Sequence, residues 1–135
     1  KYMSSANNYS ALLKAACDAM NNSHSPYSEY RVGAAIIDSG GSVYIGCNVE
    51  NAAYGSTICA EAAAVANAVA VGLSYPVVAI AVVTSTAGTP CGNCRQILAE
   101  VAPDCKIILA TPQTLDRPRE TTLAALLPDP FTSLT

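Results

Sequence analysis

Apolar residues recur at helical spacing in some stretches of this chain and in short unbroken runs in others. From about Ser5 to Asn21, Tyr9, Leu12, Leu13, Ala16 and Met20 fall on one helical face, which predicts an amphipathic first helix. Asn21-Asn22-Ser23 end it, and a polar loop containing Pro26 follows, over 24–31. Val32 to Ile37 reads as a strand, Asp38-Ser39-Gly40-Gly41 as a tight turn, and Val43 to Val49 as the returning strand of a hairpin. Gly55-Ser56-Thr57 leads into an Ala- and Val-rich helix that starts near Cys59 and ends near Gly72.

Val77 to Val83 is a continuous apolar run, the pattern of a central strand covered on both faces. A loop holding Gly88 and Pro90 precedes a short helix from about Gly92 to Val101. Ile107-Ile108-Leu109 predicts another buried strand, and Thr121 to Leu127 a short last helix. This order of elements predicts an α/β sandwich around a mixed sheet.

Composition narrows the picture. The chain has 135 residues, the size of one ordinary domain, so residues 1–135 are expected to form a single unit. It is 51% hydrophobic and 13% charged, which argues against disorder. The net charge is -3 and the seven Lys and Arg residues are scattered, so no nucleic-acid partner is expected. Between Glu61 and Arg95 there is no charged residue, but Asn67, Gly72, Ser74, Tyr75 and Pro76 interrupt the stretch before a membrane span accumulates. The N-terminus lacks a basic segment followed by a long apolar run, so no signal peptide is expected.

The cysteines carry the chemistry. Cys59-Ala60-Glu61 and Pro90-Cys91-Gly92-Asn93-Cys94 reproduce the three-cysteine form of the zinc deaminase signature. Three thiolates can hold zinc and leave its fourth tetrahedral position open to water. Both groups fall at predicted helix starts, where unpaired N–H groups and the helix dipole favour thiolates. Three thiolates on one zinc leave a charge of about -1, which the helix ends and Arg95 are expected to offset. A closed structural zinc site would instead need a fourth ligand from Cys17, Cys47, Cys105 or His24. Those three cysteines sit among apolar residues and read as core thiols, and His24 as a solvated loop histidine. Glu61 alone could simply answer the helix dipole, but its uncharged surroundings predict burial, and a buried carboxylate needs a partner. Metal-binding rather than disulfide-bonded cysteines point to a cytoplasmic protein.

With these motifs, the chain resembles the small cytidine deaminases. The likeness also rests on Pro26-Tyr27-Ser28, Val32-Gly33-Ala34-Ala35, Asn48-Val49-Glu50-Asn51-Ala52-Ala53-Tyr54 and Arg95-Gln96. It implies a three-layer α/β/α sandwich with a five-stranded mixed sheet, and a homotetramer with active sites at subunit interfaces. It assigns Cys59, Cys91 and Cys94 to one zinc ion per subunit and Glu61 to proton shuttling. It gives Asn48 and Glu50 the ribose 3′-hydroxyl, Tyr30 the face of the pyrimidine, and the Ala60 N–H the base carbonyl. Tyr54 stands near the pocket at the interface, and Phe131 reaches a neighbouring subunit's pocket. Asn48 and Glu50, two apart on a strand end, would point to one side; without the resemblance they read as a strand-to-loop turn. Two positions depart from the family pattern: Ala62 replaces an Arg that offsets thiolate charge, and Tyr30 replaces a Phe.

The expected reaction is hydrolysis of cytidine and 2′-deoxycytidine to the uridine forms with release of ammonia, as in pyrimidine salvage. A blasticidin S deaminase is the nearest rival, and Glu50 favours ribose over its cationic appendage. A non-enzymatic zinc module is a second rival, separable by a hydrated-pyrimidine analogue that binds an active site tightly. A deaminase of RNA or DNA bases would need a basic strand-binding channel, which this acidic chain lacks.

Overall fold

The computed structural model describes residues 9–134. Helix α1 (Ser10–Met20) is followed by the hairpin β1 (Val32–Asp38) and β2 (Val43–Cys47), then α2 (Ala60–Val71) and β3 (Val77–Thr84). Helix α3 (Gly92–Val101), β4 (Lys106–Ala110), β5 (Arg119–Thr122) and α4 (Leu123–Leu126) complete the chain. The start of the first predicted helix, residues 5–8, lies outside the described residues.

The five strands form one mixed sheet in the order β2-β1-β3-β4-β5. Only β3 and β4 run parallel, and α3 makes the crossover between them. Alternation along each strand divides the core into two layers. Ala35, Ile37, Ala79, Ala81, Val83 and Ile108 face α1, packing against Leu12, Leu13 and Ala16. Ala34, Ile36, Ile80, Val82, Ile107 and Leu109 face α2, α3 and α4. The uncharged run of β3 is thus buried on both sides, in the middle of a three-layer α/β/α sandwich.

Two strand assignments differ from the sequence expectation. β5 occupies Arg119–Thr122, part of which reads as helix from the sequence. Its residues are mostly exposed and charged or hydroxylated, so no apolar alternation marks it; pairing of Arg119 with Leu109 and Glu120 with Ile108 makes it a strand. Thr122 then caps α4, its hydroxyl accepting the Ala125 N–H at 3.1 Å. At the other edge β2 stops at Cys47 instead of Val49. Beyond it the chain turns between two loops: Val49 exchanges 2.9 Å backbone bonds with Ile58, and the Glu50 N–H donates to the His24 carbonyl at 2.7 Å.

Close approach at two glycines sets the helix positions. A Cβ on Gly33 would stand 1.9 Å from the Ala16 carbonyl oxygen of α1, and one on Gly46 would stand 2.4 Å from the Ala64 nitrogen of α2. Only glycine lets these helices rest so near the hairpin.

Candidate active site

Helices α2 and α3 both begin with a cysteine. Cys59 is the N-cap of α2 and Cys91 that of α3, each in extended conformation and each without a side-chain cap hydrogen bond. Cys94 follows in the first turn of α3, fully buried. The two helix starts converge, so Cys59 Sγ and Cys91 Sγ lie 3.9 Å apart, and all three sulfurs lie within 4.8 Å of one another. Four ligands at about 2.3 Å in a tetrahedron stand about 3.8 Å from each other, so the sulfur set fits a zinc ion. Among the described residues, neither His24 nor Cys17, Cys47 or Cys105 joins this group.

The electrostatics divide the three thiols. Burial pushes Cys94 well above the ordinary thiol range, with further repulsion from Glu61 and the other two cysteines. Burial likewise raises Cys59. Burial acts on Cys91 in the same direction, yet the Cys94 and Asn93 N–H groups and its two thiol neighbours outweigh it and bring it down. The start of α3 thus favours a thiolate there, as an open helix N-terminus should.

Glu61, in the first turn of α2, is 5% exposed. Burial raises its carboxyl, and its own N–H and the Cys94 thiol offset this in part. A carboxyl raised by desolvation and set beside a metal site is suited to holding and passing a proton.

Cys59, Cys91 and Glu61, but not the fully buried Cys94, line one pocket of about 230 Å³. That is smaller than the roughly 300–1,000 Å³ typical of drug-sized ligands. Tyr30, Asn48 and Ala60 join Cys59, Cys91 and Glu61 in its wall. Asn48 is committed to the scaffold: its Nδ2 donates to the Tyr30 carbonyl at 2.8 Å, and its Oδ1 accepts from the Val32 N–H at 2.9 Å and from the Ser23 hydroxyl.

Glu50 does not share that wall. It faces an adjoining cavity of about 320 Å³ with Tyr27, Ser28, Asn51 and Tyr54, and Thr57 lines both spaces. Asn48 and Glu50 lie beyond the end of β2, yet both turn toward the 27–30 segment, Asn48 to Tyr30 and Glu50 to Tyr27 and Ser28, and they line adjoining cavities that share Thr57. The Ser28 hydroxyl, and then the Ser28 and Tyr27 N–H groups, hold the Glu50 carboxyl below its ordinary value. Tyr54 meets Tyr27 edge-on with ring centroids 6.2 Å apart.

Phe131 is exposed and lies outside both cavities. Its backbone is bracketed by Gln96, whose Nε2 donates to the Phe131 carbonyl at 2.7 Å and whose Oε1 accepts the Phe131 N–H at 3.3 Å. Arg95 ties the loop before Cys91 to the C-terminal segment. It donates to the Pro90 carbonyl at 2.7 Å, the Leu126 carbonyl at 2.8 Å and the Thr89 hydroxyl at 3.0 Å. None of these three bonds goes to a thiol, so the residue expected to offset charge also steadies the ligand loop from behind.

Sequence reasoning missed Val32, Thr84 and Gly88 as pocket residues. A signal existed for Thr84: it is the polar residue closing an otherwise apolar central strand, and ligands in such sheets gather beyond strand ends.

The family model described as cytidine and deoxycytidylate deaminase zinc-binding region matches residues 6–111. The chain belongs to this deaminase family. It is 45% identical over 125 residues to the cytidine deaminase of Halalkalibacterium halodurans, covering 90% of this chain and 92% of that one. It is 40% identical to the cytidine deaminase of Mycobacterium tuberculosis, with 86% and 84% covered. The crystal structure of cytidine deaminase from Burkholderia pseudomallei is similar with a TM-score of 0.82 at 44% identity, over 90% of this chain and 97% of that chain. That from Mycobacterium leprae gives 0.78 at 39% identity, over 90% and 98%. Membership makes the chain a zinc-dependent deaminase, and the three-sulfur cluster provides for one zinc ion per chain. Among the described residues, no helix is long and apolar enough to cross a membrane.

Proposed function

We propose that this enzyme hydrolyses cytidine and 2′-deoxycytidine to uridine and 2′-deoxyuridine with release of ammonia. The observation that carries the reading is the buried Glu61 carboxyl beside the Cys59, Cys91 and Cys94 cluster, with Glu61, Cys59 and Cys91 lining one small pocket. Zinc bound by the three sulfurs supplies Lewis acidity toward a water molecule. Glu61 takes one proton from the attacking water and passes it to ring N3, then takes the second from the new C4 hydroxyl and delivers it to the departing amine. One water is consumed, the C4–N bond breaks, and a carbonyl replaces the amine.

The remaining pocket residues position the nucleoside. The Ala60 N–H, at the open start of α2, receives the base carbonyl. Tyr30 covers the pyrimidine face. An amide nitrogen carries two N–H groups, and the one Asn48 does not spend on Tyr30 is assigned to the ribose 3′-hydroxyl. Glu50, kept ionised by Ser28, acts only as acceptor and accepts a hydrogen bond from the same hydroxyl. Tyr54 walls the cavity that Glu50 faces.

Residues 1–135 are read as one catalytic domain acting in pyrimidine salvage in the cytoplasm, as a homotetramer without a nucleic-acid or membrane partner. The exposed ring of Phe131, on a backbone bonded to Gln96, supports a role in a neighbouring subunit's pocket. An ultraviolet assay over cytidine, deoxycytidine, cytidine monophosphate and blasticidin S, with and without chelator, tests the reading. Chelator-sensitive turnover of the two nucleosides is expected; turnover confined to another substrate would overturn it.

A further inference from the structure

We propose that Thr86 is a positioning residue: its hydroxyl, bonded to that of Tyr30, holds the β3–α3 loop against the pocket and so sets nucleoside affinity rather than the rate of the chemical step. The inference rests on the reading of this pocket as a cytosine nucleoside site.

The loop over 85–91 leaves the end of β3 and delivers Cys91 to the metal cluster. Its first part folds back on Thr84, a buried residue whose hydroxyl accepts the N–H groups of Thr86 and Gly88, both at 3.2 Å. Between them Ala87 adopts φ +55°, a left-handed conformation that costs a side-chain-bearing residue about 1–2 kcal/mol. Such a conformation persists where its surroundings over-determine it.

The second restraint comes from the segment that precedes β1. The Tyr30 and Thr86 hydroxyls lie 2.7 Å apart, joining segments 56 positions distant in sequence. Tyr30 is itself anchored at its base: its N–H donates to the Ser28 hydroxyl at 3.0 Å and its carbonyl accepts from Asn48. The hydroxyl bond therefore fixes the free tip of a ring whose root is already held. Gly88 packs under this bridge; a Cβ on it would lie 3.3 Å from both the Tyr30 and Thr86 hydroxyl oxygens. Tyr30, Gly88 and Thr84 all line the pocket, so the bridge stands at its wall. An exposed pair of this kind acts on loop and ring placement, which substrate and transition state share. Its loss belongs in KM.

Steady-state kinetics on cytidine with Tyr30→Phe, Thr86→Val, the double variant and Thr86→Ser test this. Each of the first two raises KM about 2- to 10-fold. Their kcat stays within about two-fold of the parent, the sign of lost uniform binding. The double variant is no worse than either single one, and Thr86→Ser, which keeps the hydroxyl, restores the parent KM. Unchanged KM, additive effects, or kcat falling in step with kcat/KM would each overturn the proposal. Should the parent enzyme turn over no cytosine nucleoside, the functional reading fails instead. Amide exchange then decides the bridge: faster exchange at Thr86 and Gly88 in both single variants supports it, and equal exchange overturns it.

Discussion

Gly46 of β2 lies against the first turn of α2, so that a Cβ on it would stand 2.5 Å from the Ala60 carbonyl oxygen. That turn carries Cys59, Ala60 and Glu61, which makes an edge-strand glycine the seat of the metal site. Gly46→Ala forces the helix outward; overpacking of this kind costs about 1–3 kcal/mol. A lower melting temperature together with less zinc retained per chain is expected. A lower melting temperature with full zinc retention would mean that the strand yields and the helix does not.

Glu61→Gln keeps the shape and the burial of the shuttle but removes its titratable proton. Zinc content is expected to stay at one per chain while kcat drops by about 10²- to 10⁴-fold. Metal analysis and the ultraviolet assay on the same preparation check both halves.

The thiols give metal binding a defined pH dependence. Burial raises Cys94 and Cys59 above the ordinary thiol range, so at neutral pH the metal-free cluster holds protons that zinc displaces. Apparent zinc affinity therefore rises with pH. Chelator competition at several pH values, with proton release measured by calorimetry in buffers of different ionisation heat, shows whether more than one proton leaves.

Asp38 provides a titration away from the site. Its carboxylate accepts the Gly40 and Ser42 N–H groups on one oxygen and the Ser74 N–H on the other, joining the β-hairpin turn to the α2–β3 loop. Burial opposes ionisation, but these backbone bonds, with Ser74 foremost, hold the carboxyl below its usual 3.8. A folded value below the unfolded one means that the unfolded chain binds more protons in that window. The contribution is present above about pH 4 and lost as pH falls through the folded value. Asp38→Asn faces an amide toward N–H donors, so it costs about 1–3 kcal/mol at neutral pH. It also flattens the acid slope. Urea unfolding of metal-free parent and variant over acidic pH measures both.

Much of the architecture was legible because burial leaves a trace in residue type. The uncharged run of β3 and the bounds Gly92–Val101 of α3 follow from apolar pattern and from Gly and Pro punctuation. β5 left no such trace, since an exposed edge strand is defined by its neighbour rather than by its own side chains. The same divide runs through the site. Cys59, Glu61, Cys91 and Cys94 were readable because metal chemistry restricts residue type and spacing. The end of β2 before Asn48 was not, because beyond Cys47 the chain pairs with the His24 and Ile58 backbones, which are remote in sequence. The bonds of Arg95 to Leu126 and of Thr86 to Tyr30 were equally hidden, since each joins residues remote in sequence.

Cys94, Arg95 and Gln96 follow one another on α3, yet they serve the metal cluster, the ligand loop with α4, and the Phe131 segment in turn. Three consecutive codons therefore govern three parts of the molecule. Substitutions at 95 and 96 share a rigid helical turn with a zinc ligand, so their effects on activity should be epistatic with each other and with changes at the C-terminal aromatic residue.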